Sequence, residues 1–306
     1  MFNNIMFATS GSPVCDSPAK IAFDLAERED AELLLFHVLG VPSRGFSVEA
    51  TDVRTGEKEN LGEDYEAWVR EELSNTYDNQ LKLYGEKTRI MTTVGVPATE
   101  ILRLARKENT DMIVMGANTR PEEGGGRFRA IMGNTMLTVS KRARCPVLIV
   151  NSPCNTCWNL FSSIVYCTDF TKAADYAFTF ALKVAKDIGC PLHIFHAVNI
   201  NSEDLGGKPS QEAIEEKIAE ARKKIEEKYL SQVGDFNMVE VDVREGAPHV
   251  EILKYAREKE GDLIVMAHHS KDLPPEDAEI GTTLEEVVLR SACPVASVNH
   301  PDWIVD

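Results

Sequence analysis

No stretch of this sequence stays apolar for the roughly 20 residues that a membrane-spanning helix requires. Its opening, Met1-Phe2-Asn3-Asn4, has no charged segment followed by an apolar one, so no secretory leader is expected. Basic residues are in the minority: 33 Lys and Arg stand against 49 Asp and Glu, a formal charge of −16. That balance argues against the broad cationic surface that nonspecific nucleic-acid binding and anionic membranes both select. It leaves a phosphate-bearing ligand open, because backbone N–H groups hold phosphate without basic side chains. Cysteine is sparse, and its odd count of seven suits a reducing compartment better than a disulfide framework. The chain is therefore expected to be cytoplasmic. Its single C-x-x-C, Cys154-Asn155-Thr156-Cys157, has no second pair to complete a zinc motif and reads most simply as two linker thiols. Signs of dedicated catalysis are missing too. There is no Walker Gly-Lys-Ser/Thr, no nucleophile with a base at a recognisable spacing and no carboxylate pair.

What the sequence does contain is itself, twice. Asn4-Ile5-Met6-Phe7-Ala8-Thr9-Ser10 returns as Ser163-Ile164-Val165-Tyr166-Cys167-Thr168-Asp169, and Leu34-Leu35-Phe36-His37-Val38 as His193-Ile194-Phe195-His196-Ala197. Both pairs are displaced by 159 residues. Val94-Gly95-Val96-Pro97 returns as Glu245-Gly246-Ala247-Pro248, and Asp111-Met112-Ile113-Val114-Met115 as Asp262-Leu263-Ile264-Val265-Met266, both displaced by 151. Gly133-Asn134-Thr135 pairs with Gly281-Thr282-Thr283, and Cys145-Pro146-Val147 with Cys293-Pro294-Val295, displaced by 148. The displacement changes only across loops, as insertions between conserved elements require.

Each copy alternates strands with helices, and its strands are continuous apolar runs, the mark of a parallel sheet covered on both faces. Tyr176, Ala177, Phe180, Ala181, Val184, Ala185 and Ile188 form one helical stripe. The excursions near 40–62 and 199–210 read as surface loops leading into helices. The fold class is thus α/β: two doubly wound, Rossmann-like or flavodoxin-like, parallel five-stranded sheets with helices on both faces. The boundaries are 1–150 for the first domain, 151–160 for a linker, 161–300 for the second domain and 301–306 for a tail that holds Trp303. The last strand of each copy is expected to meet its counterpart, forming an internal pseudo-dimer and covering an edge that would otherwise invite aggregation. Ligands in such sheets bind beyond the carboxyl ends of the strands, where the strand order reverses. Those ends carry Thr9-Ser10, Val38, Gly95 and Gly116 in one copy, and Thr168-Asp169, Ala197, Gly246 and Ala267 in the other.

Taken together, Thr168-Asp169-Phe170-Thr171, the Leu-x-x-x-His second strand, Asp262-Leu263-Ile264-Val265-Met266 and the run Gly281 to Val295 resemble the universal stress protein family in its tandem form. The resemblance covers all but the linker and tail. It implies a stress-response regulator that binds ATP or another adenine nucleotide, with or without Mg²⁺. In nucleotide-binding members an Asp at the end of the first strand lies beside the adenine. After the fourth strand, Gly-x-x-Gly, nine residues and then Gly-Ser or Gly-Thr cradle the phosphates. The second copy keeps Asp169, Gly281 and Thr282 but has Ala267 and Ser270 in place of the first glycines. The first copy keeps Gly116 and Gly133, but Ser10 replaces the Asp, Asn134 the hydroxyl residue and Thr119 the second glycine; four residues are inserted there, and Gly124-Gly125-Gly126 would restore flexibility beside the phosphates. The favoured site is therefore in the second copy: Cys167, Thr168, Asp169, Ala197, Ala267, His268, Ser270, Gly281, Thr282 and Thr283. A weaker one in the first copy comprises Thr9, Ser10, Val38, Gly116, Gly126, Gly133, Asn134 and Thr135.

The resemblance supports no catalytic residue and at most slow ATP hydrolysis, so the chain is not read as a dedicated enzyme. Asn134 and Thr282 also suit plain helix caps, which leaves the alternative of a scaffold or chaperone-like protein without nucleotide. His268 and His269 stand at the expected mouth of the second site, with no spaced third ligand for a metal. His37 and His196 read as packing or backbone-bonding residues. Neither nucleic acid nor membrane is an expected partner, and self-association into a homodimer is compatible with the sequence.

Overall fold

The apolar runs at the heart of each copy form strands buried on both faces, because alternate side chains feed two separate cores. In β1 (Asn4–Ala8), Ile5 and Phe7 join one cluster, while Met6 and Ala8 join the other. In β8 (Ile164–Cys167), Tyr166 and Cys167 divide in the same way. The computed structural model describes residues 2–40, 49–51, 58–60, 63–117, 134–154, 161–199, 210–268 and 282–299.

The first half comprises β1, β2 (Glu32–Gly40), β5 (Thr88–Gly95), β6 (Met112–Gly116) and β7 (Val147–Val150). Its helices are α1 (Asp16–Glu29), α2 (Glu63–Thr76), α3 (Asp78–Tyr84), α4 (Pro97–Lys107) and α5 (Asn134–Arg142). The second half repeats the plan with β8, β9 (Leu192–Val198), β10 (Val239–Glu245), β11 (Leu263–Ala267) and β12 (Val295–Val298). Its helices are α6 (Lys172–Ile188), α7 (Gln211–Ile225), α8 (Ser231–Val233), α9 (Pro248–Glu258) and α10 (Thr282–Arg290). One addition was not visible in the sequence. The first excursion carries a short antiparallel pair, β3 (Glu49–Thr51) with β4 (Lys58–Asn60), whose polar residues show no apolar alternation.

Local chemistry sets the helix ends. Thr171 Oγ1 accepts from Ala174 N at 3.3 Å to cap α6, and Gly189 ends it in the left-handed region at φ 76°. Pro97 and Pro248 open α4 and α9, where the missing N–H costs nothing. Helix α6 buries a wider face than the single stripe suggested. Phe178 and Leu182 are buried against its own sheet, while Tyr176 and Phe180 stay half-buried and Phe180 meets Phe2 of the first half, ring centroids 6.4 Å apart.

The ten strands form one sheet in the order β10-β9-β8-β11-β12-β7-β6-β1-β2-β5. Within each half every pairing is parallel, and the order reverses between β1 and β6 and between β8 and β11. The halves join where β7 and β12 pair antiparallel, with Leu148 opposite Ala296, so the expected pseudo-dimer is formed inside one chain. A reciprocal clamp reinforces this seam. Asn151, just after β7, donates from Nδ2 to Val288 O (2.5 Å) and Ser291 O (3.1 Å) at the end of α10. Asn299, just after β12, donates to Ser140 O (2.6 Å) and Ala143 O (3.1 Å) at the end of α5. Each half thus satisfies carbonyls that the other half's last helix leaves without intrahelical partners.

Candidate functional site

Where the strand order reverses, each half has a cavity at the carboxyl ends of its strands. The second-half cavity is about 180 Å³, and its counterpart in the first half about 140 Å³. In the second half, Cys167, Thr168 and Asp169 come from the end of β8, Ala197 from β9 and Ala267 and His268 from β11, with Thr283 in the first turn of α10 opposite them. In the first half, Thr9, Ser10, Val38, Gly116 and Thr135 take the matching places. Most of the residues expected to meet are therefore together.

Several are not. Thr282 and Asn134 are exposed at the helix starts and do not line the cavities. Gly95 and Gly246 end strands yet stand apart from both cavities, and packing explains them. A Cβ on Gly246 would lie 2.8 Å from Glu251 Cγ, and its φ of 140° already disfavours a side chain. His268, expected at the mouth, is buried in the wall: its N–H continues the ladder to Val298 O at 3.1 Å, and Nδ1 lies 3.3 Å from Ser297 Oγ. Ser270, His269, Gly281, Gly126, Gly133, Thr119, Cys157 and Trp303 lie outside the described residues.

A hydrogen-bonded frame holds the end of each first strand. Thr168 Oγ1 accepts from Phe170 N at 3.0 Å and lies 2.8 Å from Tyr229 OH, whose proton goes to Asp175 Oδ1 at 3.0 Å. The protons therefore run Thr168 to Tyr229 to Asp175. The first half has the same start: Thr9 Oγ1 accepts from Gly11 N at 3.0 Å and lies 2.6 Å from Tyr77 OH. Gly11 (φ 71°) and Phe170 (φ 67°) share a left-handed turn; the Phe170 ring lies 4.6 Å from His196 and stacks on Tyr229 at 6.4 Å. These tyrosines went unnoticed in the sequence. Tyr229 sits in a π-helical turn, Glu226–Leu230, a local irregularity often found near functional sites. The available signal was positional, since Tyr77 precedes Gly95 and Tyr229 precedes Gly246 by nearly the same distance.

His37 and His196 do bond backbone, as expected. Nδ1 of each faces a carbonyl, Thr9 O at 2.8 Å and Thr168 O at 2.7 Å, so Nδ1 carries the proton. Burial lowers the His196 pKa from its ordinary 6.5, against the opposing pull of Thr168 and Asp169. The unfolded chain takes up a proton that the folded one resists. Stability should therefore fall as pH drops through the ordinary histidine range and level off once the folded ring also titrates. Melting curves from neutral to mildly acidic pH should show a shallower decline for His196→Asn, which keeps an N–H donor but no titrating ring. An unchanged slope would remove His196 from the account.

Asp169 is exposed at the cavity rim. Its Oδ1 accepts from Thr171 N at 3.1 Å and from Thr171 Oγ1 at 2.6 Å, which fixes the carboxylate, while Oδ2 carries no such bond among the described residues. It is the only acidic group among the described lining residues, which include His196 and His268 but no Lys or Arg. Burial favours the protonated thiol nearby, pushing Cys167 well up and Cys293 up to about 11. The linker reading changes at Cys154, which is disulfide-bonded, whereas Cys15, Cys145, Cys167, Cys190 and Cys293 are free. Among the described residues no group of three or more His, Cys, Asp or Glu is placed to hold a metal, and no helix is long and apolar enough to cross a membrane.

Universal stress protein MJ0531 of Methanocaldococcus jannaschii is 32% identical over 154 residues, spanning 50% of this chain and 84% of its own length. A universal stress protein from Archaeoglobus fulgidus superposes with a TM-score of 0.66 at 22% identity, covering 98% of this chain and 97% of that one. A putative universal stress protein from Pseudomonas aeruginosa, at 16% identity and a TM-score of 0.61, shares the fold over 99% of this chain and 95% of its own. The profile of the universal stress protein family matches residues 1–151 and again 161–299. Repeat, sheet order and profile agree, and the chain belongs to the universal stress protein family as a tandem of two copies of its domain.

Proposed function

We propose that the second-half cavity binds an adenine nucleotide and that the protein acts as a nucleotide-responsive regulator in the cytoplasm. The observation that carries this reading is Asp169: one carboxylate oxygen is pinned by Thr171, and the residue stands at the rim of an otherwise uncharged cavity. A carboxylate so placed accepts from the exocyclic amine of adenine. Thr168, Ala197 and Ala267 would flank the base, and Thr283 would direct the phosphates to the first turn of α10, where unpaired N–H groups and the helix dipole favour an anion. Asp169 is also the one described lining group with an anionic oxygen to offer Mg²⁺. At about 180 Å³ the described cavity is smaller than whole-ligand sites, which run to roughly 300–1,000 Å³, and suits the base end of a nucleotide. The first half, with Ser10 in place of the carboxylate, supports a weaker site.

Charge sets an order among nucleotides. Between His268 and Thr282 the sequence carries Lys271 against Asp272, Glu276, Asp277 and Glu279, whereas between Ala117 and Asn134 it carries Arg120, Arg127 and Arg129 against Glu122 and Glu123. The net charge of −16 opposes each added phosphate, and salt screens that repulsion with a Debye length of about 8 Å at physiological ionic strength. Calorimetry of the full chain without Mg²⁺ should show ATP binding at the Asp169 site tighten as salt rises, with adenosine indifferent. ATP binding that weakens with salt removes the charge ordering, whereas no adenine ligand binding at any salt removes the function and leaves the scaffold reading in its place.

A further inference from the structure

The two cavities share a frame but differ in the group that would face a base. His37 and His196 meet the carbonyls of Thr9 and Thr168 in the same way, at 2.8 and 2.7 Å, and each threonine meets its tyrosine. Ser10 and Asp169 therefore stand at the same point of the fold, and both are exposed at the rim. Asp169 is a carboxylate, which offers lone pairs and no proton. Ser10 is a hydroxyl that can donate or accept, and its neighbours decide which capacity is left for a ligand.

Ser10 Oγ lies 2.8 Å from Ser12 Oγ and 3.3 Å from Cys15 Sγ. Ser12 takes the place of Thr171, whose hydroxyl donates to Asp169 at 2.6 Å while it accepts from Ala174 N. The Ser12 side chain accepts from no backbone N–H at its helix start, and by donating to Ser10 it keeps the contact that Thr171 makes. Cys15 is particular to the first half, because Ala174 fills the matching position. It is buried and lines the cavity. A thiol is a weaker acceptor than a hydroxyl, so the Cys15 S–H points to Ser10 Oγ and not the reverse. Both lone pairs of Ser10 are then engaged, and its proton is what remains to give. The same rim position thus only accepts in one half and only donates in the other.

We propose that the first-half cavity takes a 6-oxopurine, a base with a carbonyl where adenine has an amine, with Ser10 donating to that oxygen and Cys15 keeping the serine in its donor arrangement. This rests on the reading that a base meets the rim residue in each half. An adenine amine turned to Ser10 would bring donor against donor, and accepting from it would cost Ser10 its bond from Cys15. Inosine monophosphate and AMP differ only at C6 and N1 of the ring, so the pair tests the assignment directly. Titrated into the full chain, inosine monophosphate should move the backbone amide resonances of 9–11 and 135 with roughly tenfold higher affinity than AMP. Ser10→Ala should bring the ratio close to one, Ser10→Asp should invert it, and Cys15→Ala should shrink it by returning a lone pair to the serine. Each result is a ratio within one variant, so a loss of stability does not imitate it. AMP bound there as well as inosine monophosphate, or a preference that survives Ser10→Ala, would overturn the assignment. The resonances of 168–170 and 283 read the second cavity in the same titration. AMP movement there without a preference at 9–11 strikes the oxopurine assignment alone, whereas silence at both cavities strikes the adenine reading with it.

Discussion

Asp169→Ala is expected to remove most of the thermal protection that an adenine nucleotide gives this protein. A ligand at one hundred times its Kd stabilises the folded state by about 2.7 kcal/mol, which raises the melting temperature by several degrees. A hydrogen bond to a charged group contributes about 1.5–3 kcal/mol, so losing the carboxylate should weaken binding ten- to a hundredfold. At the same ligand concentration the protection then drops to about 1.4 kcal/mol or less. Because Asp169 also accepts from Thr171 ahead of α6, alanine alone could act by loosening that turn. Asp169→Asn separates the two effects: it keeps an acceptor for Thr171 but can present an N–H₂ to the adenine amine. Differential scanning fluorimetry with AMP, ADP and ATP should find the protection cut to about half or less in both variants, and full protection in Asp169→Asn would refute the role given to the carboxylate.

The second large effect concerns the seam. Asn151→Ala and Asn299→Ala each strip hydrogen-bond donors from two helix-end carbonyls in the other half. A buried polar group left unsatisfied costs about 1–3 kcal/mol. The two clamps grip different helices, α10 and α5, and share no partner, so their costs should add to roughly 2–6 kcal/mol in the double variant. Chemical denaturation followed by two probes, one in each half, should show a lowered midpoint, and separation of the two transitions would show that the clamp also makes the halves unfold as one unit. A double variant as stable as the parent would mean that water replaces the asparagine amides without loss.

The sequence exposed the repeat, the parallel halves and the meeting of Cys145 to Val150 with Cys293 to Val298, because continuous apolar strands at fixed displacement leave few arrangements. It also placed Thr168, Asp169, Ala197, Ala267 and Thr283 around one cavity, since strand ends at a switch point must converge. Other features were hidden for physical reasons. Asn151 and Asn299 share the displacement of 148, and each precedes an X-Pro step, but no one-dimensional pattern says that each reaches into the other copy. Tyr77, at the turn between α2 and α3, and Tyr229, in the π-helical turn after α7, lie in excursions whose displacement is blurred by unequal loops. His268 looked exposed because it follows a strand, yet its N–H extends the ladder with β12 and draws the ring into the wall.

The antiparallel join of β7 and β12 has one more consequence. Strand polarity reverses at the middle of the sheet, so the carboxyl ends of one half share a rim with the amino ends of the other. One rim therefore brings the Asp169 cavity to the side of Arg144, and the opposite rim brings the Ser10 cavity to the side of Ala292. Two identical subunits would present the same face twice. Joined in one polypeptide and free to diverge, the copies give the molecule a front and a back, and anything that docks on a rim can tell which one it has met.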